Sequence, residues 1–376
     1  MIRTYKNDAT FYNLEIVRFI TSKKDVVIVQ KRNYQGYFKY QPTKMVLAKK
    51  FVLVKPLNGM PTNENFELVQ EELPELTEGE FLVEAIYFSP DPYLRLFGGA
   101  VNQTMKGLQV GKIIDSKSNK FPIGKYMVGD FGWRTHTIWK DDIPKTNWSS
   151  PHLLPFEADD VPLSLGLGIL GMPGNTAYFG LLEICQPQPG ETVVVTTAGG
   201  AVGSHVGQIA KIKGCTVIGV TSSNAKAEWL QTLGFDYVIN YKTDNLQTAL
   251  AKAAPNGIDC YFDNVGGEQS SIIIKQMNVG GRIAVCGAIS SYNTQEKEPK
   301  ATMVQLAFLK SRLRMRGFWV SEFLDKWGEG ITENLKWIRE GKLKYKETIL
   351  DGFENLPNAL ISVLNGENIG KAILKV

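Results

Sequence analysis

A short glycine-rich segment carries the clearest chemistry in the sequence. Residues 192–197 read TVVVTT, a β-branched run typical of a buried strand, and residues 198–204 read AGGAVGS at the start of a helical pattern. The spacing is G-x-G-x-x-G with Ala in the first place. Gly200 lets the backbone approach a pyrophosphate, Gly203 permits close packing of helix on strand, and the helix N-terminus attracts anions. The segment predicts a dinucleotide-binding loop; the alternative is a purely structural turn.

The residues after the next strand bear on which dinucleotide binds. NAD sites usually place an Asp or Glu about 20 residues after the loop, where it binds the ribose 2′-hydroxyl. No acidic residue occurs between Thr192 and Ala227, and residues 222–226 read SSNAK. The hydroxyl of Ser223 and the amine of Lys226 suit a 2′-phosphate, so the cofactor is predicted to be NADP. The alternative is that Lys226 is an ordinary solvated helix residue.

These residues need a scaffold, and the second half of the chain predicts a doubly wound parallel sheet. Apolar strands alternate there with helical stretches, a pattern typical of a sheet covered on both faces. The predicted strands are Thr192–Thr197, Cys215–Thr221, Tyr237–Tyr241, Ile258–Asn264 and Arg282–Cys286, with an edge strand around Arg314–Val320. The first half is β-rich and punctuated by Gly, Pro and Asn, as in a partly open barrel, and the tail strand Lys371–Val376 is expected to rejoin it.

Composition excludes several classes of protein. The 376 residues include only 4 Cys and 3 His, with no CxxC or HExxH spacing, which argues against a metal site and for a reducing compartment, with the cytoplasm as the default. No apolar run is long enough to span a membrane. Residues 1–44 hold nine Lys/Arg against three Asp/Glu, a balance of +6, so the rest of the chain carries −2 of the total +4. That body has no electrostatic bias toward nucleic acid.

Several segments together resemble a known family. They are DPYLR at 91–95, GMPGNTAYFGLLEI at 171–184, LGFDYVINYKT at 233–243, DCYFDNVGG at 259–267 and CGAISSYN at 286–293. In this order they are similar to the zinc-independent medium-chain dehydrogenase/reductases, within them to the NADP-dependent alkenal and prostaglandin reductases. The resemblance runs from Met45 to Val376 and leaves residues 1–44 as an extension of unknown role.

The resemblance implies an α/β fold in which a GroES-like β-rich catalytic domain (45–168 and 338–376) accompanies a doubly wound Rossmann domain (169–337). It places cofactor contacts at Gly200, Ala201, Val202, Gly203, Ser223, Lys226, Tyr241, Asn264, Cys286, Gly287, Ala288, Ile289, Ser290, Ser291, Tyr292, Phe318, Trp319, Val320 and Asn368. Structural alternatives remain: Asn264 as a turn residue, Tyr241 as a rim aromatic, Cys286 as a buried apolar residue, and Phe318 and Trp319 as core or dimer-edge residues.

The implied reaction is NADPH-dependent reduction of the C=C bond of an enone, an alkenal or an oxo-eicosanoid. Charge then develops on the carbonyl oxygen, and the family places a Tyr in the cleft, so Tyr292 is the catalytic candidate. Its alternative role is to anchor its own loop. Tyr93 and Arg95 are expected either to line the cleft or to brace a turn. A quinone reductase and a non-catalytic NADPH-binding protein are the competing functions. An edge strand near Arg314–Val320 favours a homodimer, and a monomer with a covered edge is the alternative.

Overall fold

The structure, a computed structural model, describes residues 14–21, 24–31, 45–143, 148–294 and 303–376. The chain divides into two units, Met1–Lys44 and Met45–Val376. In the first unit, β1 (Leu14–Thr21) and β2 (Lys24–Lys31) form an antiparallel hairpin. The other residues of the predicted N-terminal extension lie outside the described ranges, and its role stays open.

The second unit begins with a β-rich part. Its strands are β3 (Val46–Leu53), β4 (Phe66–Leu73), β5 (Glu80–Phe88), β6 (Gln103–Thr104), β7 (Leu108–Ser116), β8 (Tyr126–Asp130), β9 (His136–Lys140) and β10 (His152–Leu153), with a short helix α1 (Leu94–Phe97). Strands β4, β3 and β6 form one antiparallel sheet, while β10, β8, β7 and β5 lie side by side in another, with β9 also paired to β5.

The predicted parallel sheet follows as alternating strands and helices. Its elements are α2 (Met172–Phe179), β11 (Thr192–Thr196), α3 (Ala201–Ile212), β12 (Thr216–Thr221), α4 (Asn224–Thr232), β13 (Tyr237–Asn240), α5 (Leu246–Ala253), β14 (Ile258–Asp263), α6 (Gly267–Ile274), β15 (Met277–Val285), α7 (Gln305–Ser311) and β16 (Arg314–Gly317). The strand order is β13-β12-β11-β14-β15-β16, with every pairing parallel. The predicted fold class is confirmed.

The continuous apolar strands are explained by cores on both faces of this sheet. Along β11, Val193 and Val195 belong to one apolar cluster and Val194 to the other. Successive side chains of a strand point to opposite faces of the sheet. A strand that is buried on both faces is therefore apolar at nearly every position.

The chain then returns to the β-rich part. Helix α8 (Trp327–Arg339) leads to β17 (Glu347–Asp351), α9 (Leu356–Leu364) and β18 (Lys371–Lys375). Strand β18 pairs antiparallel with β5, where Leu374 faces Phe88, and β17 pairs parallel with β18. The tail therefore joins the sheet of the first half.

The predicted edge strand is shorter in the structure than in the sequence analysis. Strand β16 ends at Gly317, and a 3-10 turn begins at Val320. The Trp319 N–H donates to Glu322 Oε1 at 2.9 Å, which draws the backbone out of the strand path. Phe318 and Trp319 therefore lie beyond the end of β16, where Phe318 is buried against Phe262 and Trp319 is exposed.

Candidate active site

A cavity of about 480 Å³ lies where the parallel strands end. The residue directly after each strand belongs to the lining. These residues are Thr197, Ser222, Tyr241, Asn264, Cys286 and Phe318. The other walls come from the DPYLR region, the start of α2 and the segment between α9 and β18. Ligands of doubly wound folds bind at this edge of the sheet, so the topology itself makes this cavity the candidate site.

Most of the predicted site residues share this lining. They are Gly200, Ala201, Val202, Gly203, Lys226, Tyr241, Asn264, Cys286, Gly287, Ile289, Ser290, Tyr292, Phe318, Trp319, Val320 and Asn368. Ser223, Ala288 and Ser291 lie outside it. Ser223 Oγ instead accepts the backbone N–H of Lys226 at 3.3 Å and caps α4, while Ser222 lines the cavity.

Two glycines of the dinucleotide loop, Gly199 and Gly203, have no room for a side chain. A Cβ on Gly203 would lie 2.4 Å from the carbonyl oxygen of Thr197, and one on Gly199 would lie 2.9 Å from Lys226 Cδ. The turn also holds Thr197 in the left-handed region at φ +51°. Helix α3 then begins at Ala201 with no side-chain cap and no acid in its first turn. The loop therefore presents free N–H groups to the cavity at the positive end of a helix.

Lys226 is not a solvated helix residue. Its side chain is 6% exposed and covers Gly199, and its Nζ donates to the carbonyl of Gly366 at 2.5 Å. Burial lowers the pKa of Lys226, and the nearby Lys242, which also lines the cavity, lowers it further. Two lysines and the Ser222 hydroxyl thus meet in this part of the lining.

The segment before β18 crosses the glycine-rich loop. The Gly370 N–H donates to the Gly199 carbonyl at 2.9 Å, and Gly370 forms a parallel β-bridge with Gly200. Gly370 has φ +71°, and a Cβ there would lie 2.0 Å from the carbonyl of Lys346. The C-terminal segment and the dinucleotide loop therefore form one wall of the cavity.

Asn264 is held at the end of β14 by two contacts with β11. Its Nδ2 donates to the Thr196 carbonyl at 2.7 Å, and its backbone N–H donates to Thr196 Oγ1 at 3.0 Å. These contacts fix the amide at the junction of two central strands, next to the turn that contains Gly266. Asn264 is therefore both a residue of the turn after β14 and part of the cavity lining.

In the loop from Cys286 to Tyr292, the Ser290 and Ser291 hydroxyls donate to the carbonyls of Val265 and Ala288 at 2.6 and 2.8 Å, whereas the Tyr292 hydroxyl acts as an acceptor. The N–H groups of Cys286 and Gly287 both donate to the Asp263 carbonyl, at 2.8 and 3.1 Å. Burial raises the pKa of the Cys286 thiol to about 12, so this group stays protonated and contributes no thiolate chemistry. The phenolic oxygen of Tyr292 accepts the N–H of Ala288 at 3.3 Å.

This geometry leaves the Tyr292 proton available for donation. Because its oxygen is the acceptor from Ala288, the O–H can point elsewhere in the lining. Burial raises the pKa of Tyr292 above its ordinary value, against the opposing effect of the Ala288 hydrogen bond. The phenol is therefore neutral at neutral pH, the state in which it can donate to a carbonyl oxygen.

The DPYLR region contributes a buried charge pair that the sequence analysis did not identify. Asp91 and Lys371 form an ion pair at 2.9 Å, and both line the cavity together with Tyr93. Burial, Asp91 and Asp130 raise the pKa of Tyr93 well above its ordinary value. Arg95 Nε donates to the Gly59 carbonyl and to Asn293 Oδ1, at 2.8 and 2.9 Å, and so bridges to the residue after Tyr292.

Within the described ranges, no group of three or more His, Cys, Asp or Glu side chains could hold a metal ion. The same residues include no helix that is long and apolar enough to cross a membrane. The absence of a metal cofactor remains a prediction.

Comparison with known proteins identifies the family. The family described as "N-terminal domain of oxidoreductase" matches residues 49–145, and "Zinc-binding dehydrogenase" matches residues 201–337. Prostaglandin reductase 1 of Bos taurus is 47% identical over 338 residues, covering 88% of this chain and all of the relative. The chain belongs to the prostaglandin reductase 1 family.

Two further relatives of this family member are informative. The NADPH-dependent curcumin reductase of Escherichia coli is 36% identical, over 87% of this chain and 96% of its own length. The crystal structure of CurA from Vibrio vulnificus in complex with NADPH has a TM-score of 0.81 and 36% identity, and the match covers 87% of this chain and 99% of that one. The family resemblance stated from the motifs is confirmed.

Proposed function

We propose that this protein is an NADPH-dependent reductase of the C=C bond in α,β-unsaturated carbonyl compounds. The observation that carries the proposal is full-length similarity to prostaglandin reductase 1, with the NADPH-dependent curcumin reductase as a further relative. The cavity supports it, since the glycine-rich loop, the free N-terminus of α3 and Lys226 line the same space.

The residues present fit NADPH. Gly200 precedes the uncapped N-terminus of α3 in the lining, where a pyrophosphate would accept free N–H groups, and Gly203 lets α3 pack closely on the turn after β11, since a Cβ there would lie 2.4 Å from the Thr197 carbonyl. Lys226, Lys242 and Ser222 offer two positive charges and a hydroxyl to the 2′-phosphate. Asn264 and the loop 286–292 form the opposite part of the lining, where we place the nicotinamide half.

The chemistry divides between the cofactor and Tyr292. When bound, NADPH would supply the hydride that the β-carbon of the enone accepts; the negative charge would then develop on the carbonyl oxygen, and the α-carbon would take a proton from water. We assign to Tyr292 the hydrogen bond that stabilises this oxygen, because its proton is not committed to Ala288 and its raised pKa keeps it neutral. The same interaction with Ala288 fixes the ring, so loop anchoring and catalysis are compatible roles.

Three further proposals concern the domains, the oligomeric state and the location of the protein. We propose a division into a catalytic domain (45–168 and 338–376) and a Rossmann domain (169–337), which the pairing of β18 with β5 supports. We propose a homodimer formed through β16, whose four residues are all exposed and which lies at the end of the described sheet. We also propose a cytoplasmic location, for which the four free cysteines are the support.

One assay separates the candidate functions. NADPH oxidation is measured with an enone, with a quinone and with no acceptor, under identical conditions. The proposed reductase oxidises NADPH fastest with the enone. Faster oxidation with the quinone would favour the quinone reductase, and tight NADPH binding without turnover would favour a non-catalytic binding protein.

A further inference from the structure

Two exposed aromatic rings meet at the edge of the candidate active site. Trp319 is 58% exposed and lines the cavity, and Phe97 is 49% exposed at the end of α1. Their ring centroids lie 5.5 Å apart at 65°, an edge-to-face contact. The contact joins the DPYLR region to the segment after β16, so it spans from one wall of the cleft to the other.

The backbone holds both rings in exposed positions. Glu322 accepts the N–H of Trp319 and pairs with Arg316 at 2.5 Å, while the preceding Phe318 is 9% exposed and packs edge-on against Phe262. Phe318 is therefore anchored inside and Trp319 is turned outward. The Phe97 N–H donates to the Tyr93 carbonyl at 2.9 Å, which places its ring relative to the cavity wall.

The neighbouring surface is also apolar. Leu96 is 48% exposed beside Phe97, and Met60 is 40% exposed. Asn293, which follows Tyr292, contacts Met60 Sδ through its Nδ2 at 3.5 Å. Leu96 lies next to Phe97 in the chain, and Met60 contacts the residue that follows Tyr292, so further exposed apolar side chains accompany the two rings near the cavity. Large exposed apolar groups next to a cavity mark a binding surface.

We propose that Phe97 and Trp319 determine substrate specificity by binding the hydrocarbon chain attached to the enone. The inference rests on the proposed function. The occupant is an alkyl chain because the rings continue the lining outward, and the charged neighbours Arg316 and Glu322 are already paired with each other. An alkyl chain that lies across the two rings has about half of its surface covered. Half-burying one methylene group strengthens the binding of the chain about twofold.

The test compares two enones that differ only in chain length, pent-3-en-2-one and dec-3-en-2-one. The readout is the ratio of their kcat/KM values, because this ratio cancels any common loss of cofactor binding or enzyme. The wild type is expected to favour the long enone by roughly tenfold or more. The variants are Phe97→Ala, Phe97→Leu and Trp319→Ala, with Trp319→Phe as the conservative replacement. Ile123→Ala, at a 61% exposed position outside the lining, is the matched control.

We expect the ratio to fall about fivefold in Phe97→Ala and Trp319→Ala, to fall less in Phe97→Leu and Trp319→Phe, and to stay at the wild-type value in Ile123→Ala. An enzyme that reduces both enones equally well, or a ratio that Phe97→Ala and Phe97→Leu leave unchanged, overturns this inference while the proposed function stands. Failure of the wild type to reduce either enone overturns the proposed function itself. Loss of a dimer in the ring variants, measured by sedimentation, assigns the rings to an interface between copies and also overturns the inference.

Discussion

Lys371 Nζ donates to Asp91 Oδ1 at 2.9 Å and ties the first residue of β18 to the turn that precedes α1. The two side chains are 5% and 8% exposed, and Ser89 donates to the second oxygen of Asp91. Because Tyr93 and Phe97 follow Asp91 closely, this buried pair sets where the DPYLR region lies against the C-terminal strand. The pair is thus a structural support of one cavity wall.

Removing one partner of this pair should destabilise the fold strongly. Lys371→Met leaves the carboxylate of Asp91 buried without its cation, and we expect a loss of about 3–5 kcal/mol in the free energy of unfolding. The double variant Lys371→Met/Asp91→Leu should recover most of that loss. Urea denaturation measures both. The control is Lys55→Met, because Lys55 is 58% exposed in its pair with Glu64, and we expect a change of at most about 1 kcal/mol. Equal losses at both sites would contradict the support role.

A buried histidine predicts acid sensitivity. His205 is 4% exposed, and burial lowers its pKa from 6.5 to about 3. The unfolded chain therefore binds a proton that the folded chain does not, so the stabilisation is present above pH 6.5 and is lost as the pH falls toward about 3. The slope from this one group is about 1.4 kcal/mol per pH unit.

The measurement is the free energy of unfolding in urea across that pH range, for the wild type and for His205→Gln. The variant should show a pH slope that is shallower by the contribution of one proton. His136→Gln is the comparison, because burial also lowers the pKa of His136 but Glu84, 3.6 Å away, opposes that effect, so we expect a smaller change in slope. A His205→Gln slope identical to that of the wild type would show that His205 is not titrated by unfolding.

Tyr292→Phe tests the catalytic assignment. We expect kcat for enone reduction to fall about 10²–10⁴-fold, because the hydrogen bond to the developing oxyanion is lost. NADPH affinity should change little, since the ring remains. Tyr345→Phe, at an exposed position outside the lining, is the matched control. An unchanged kcat would reduce Tyr292 to an anchor of its own loop.

The pH profile of the wild type gives an independent check on Tyr292. The hydroxyl acts in its protonated form, and burial raises its pKa above 10.0. The midpoint of any loss of activity through Tyr292 ionisation should therefore lie above pH 10. In Tyr292→Phe this alkaline limb should be absent.

Lys226 tests cofactor choice. Lys226→Glu replaces an attraction for the 2′-phosphate by a repulsion, so the Kd of NADPH should rise at least about tenfold, or about 1.4 kcal/mol, with that of NADH little changed. Lys226→Met retains the aliphatic cover over Gly199 and should show a smaller change in the same direction. Lys252→Met, on the exposed face of α5, is the control. Equal weakening of both cofactors would assign Lys226 to the fold or the pyrophosphate, and no weakening would place the 2′-phosphate elsewhere.

The parallel sheet could be predicted from sequence because each strand has a local signature. TVVVTT and the runs that form β12 and β14 are almost wholly buried, whereas β16, which precedes Phe318, is exposed along its whole length. The close packing at Gly203 could be predicted for the same reason, since it lies between a strong strand and a strong helix. In the structure, a Cβ at Gly203 would lie only 2.4 Å from the Thr197 carbonyl oxygen.

Contacts between distant segments could not be predicted. Asp91 and Lys371 are 280 positions apart, and the residues around each of them do not indicate which distant residue it contacts. The same holds for Gly366, which meets Lys226, and for Gly370, which meets Gly199. Ser223 illustrates the opposite problem. Its type suits both a phosphate contact and a helix cap, and only the backbone geometry showed that it caps α4.

The most direct test of the central claim follows the transferred hydrogen. The wild-type protein is incubated with an enone and with NADPH that carries deuterium at the transferable position, and NMR of the product locates the label. We predict a saturated ketone with deuterium on the former β-carbon. An allylic alcohol with deuterium on the carbinol carbon, or no incorporation into the enone at all, would contradict it.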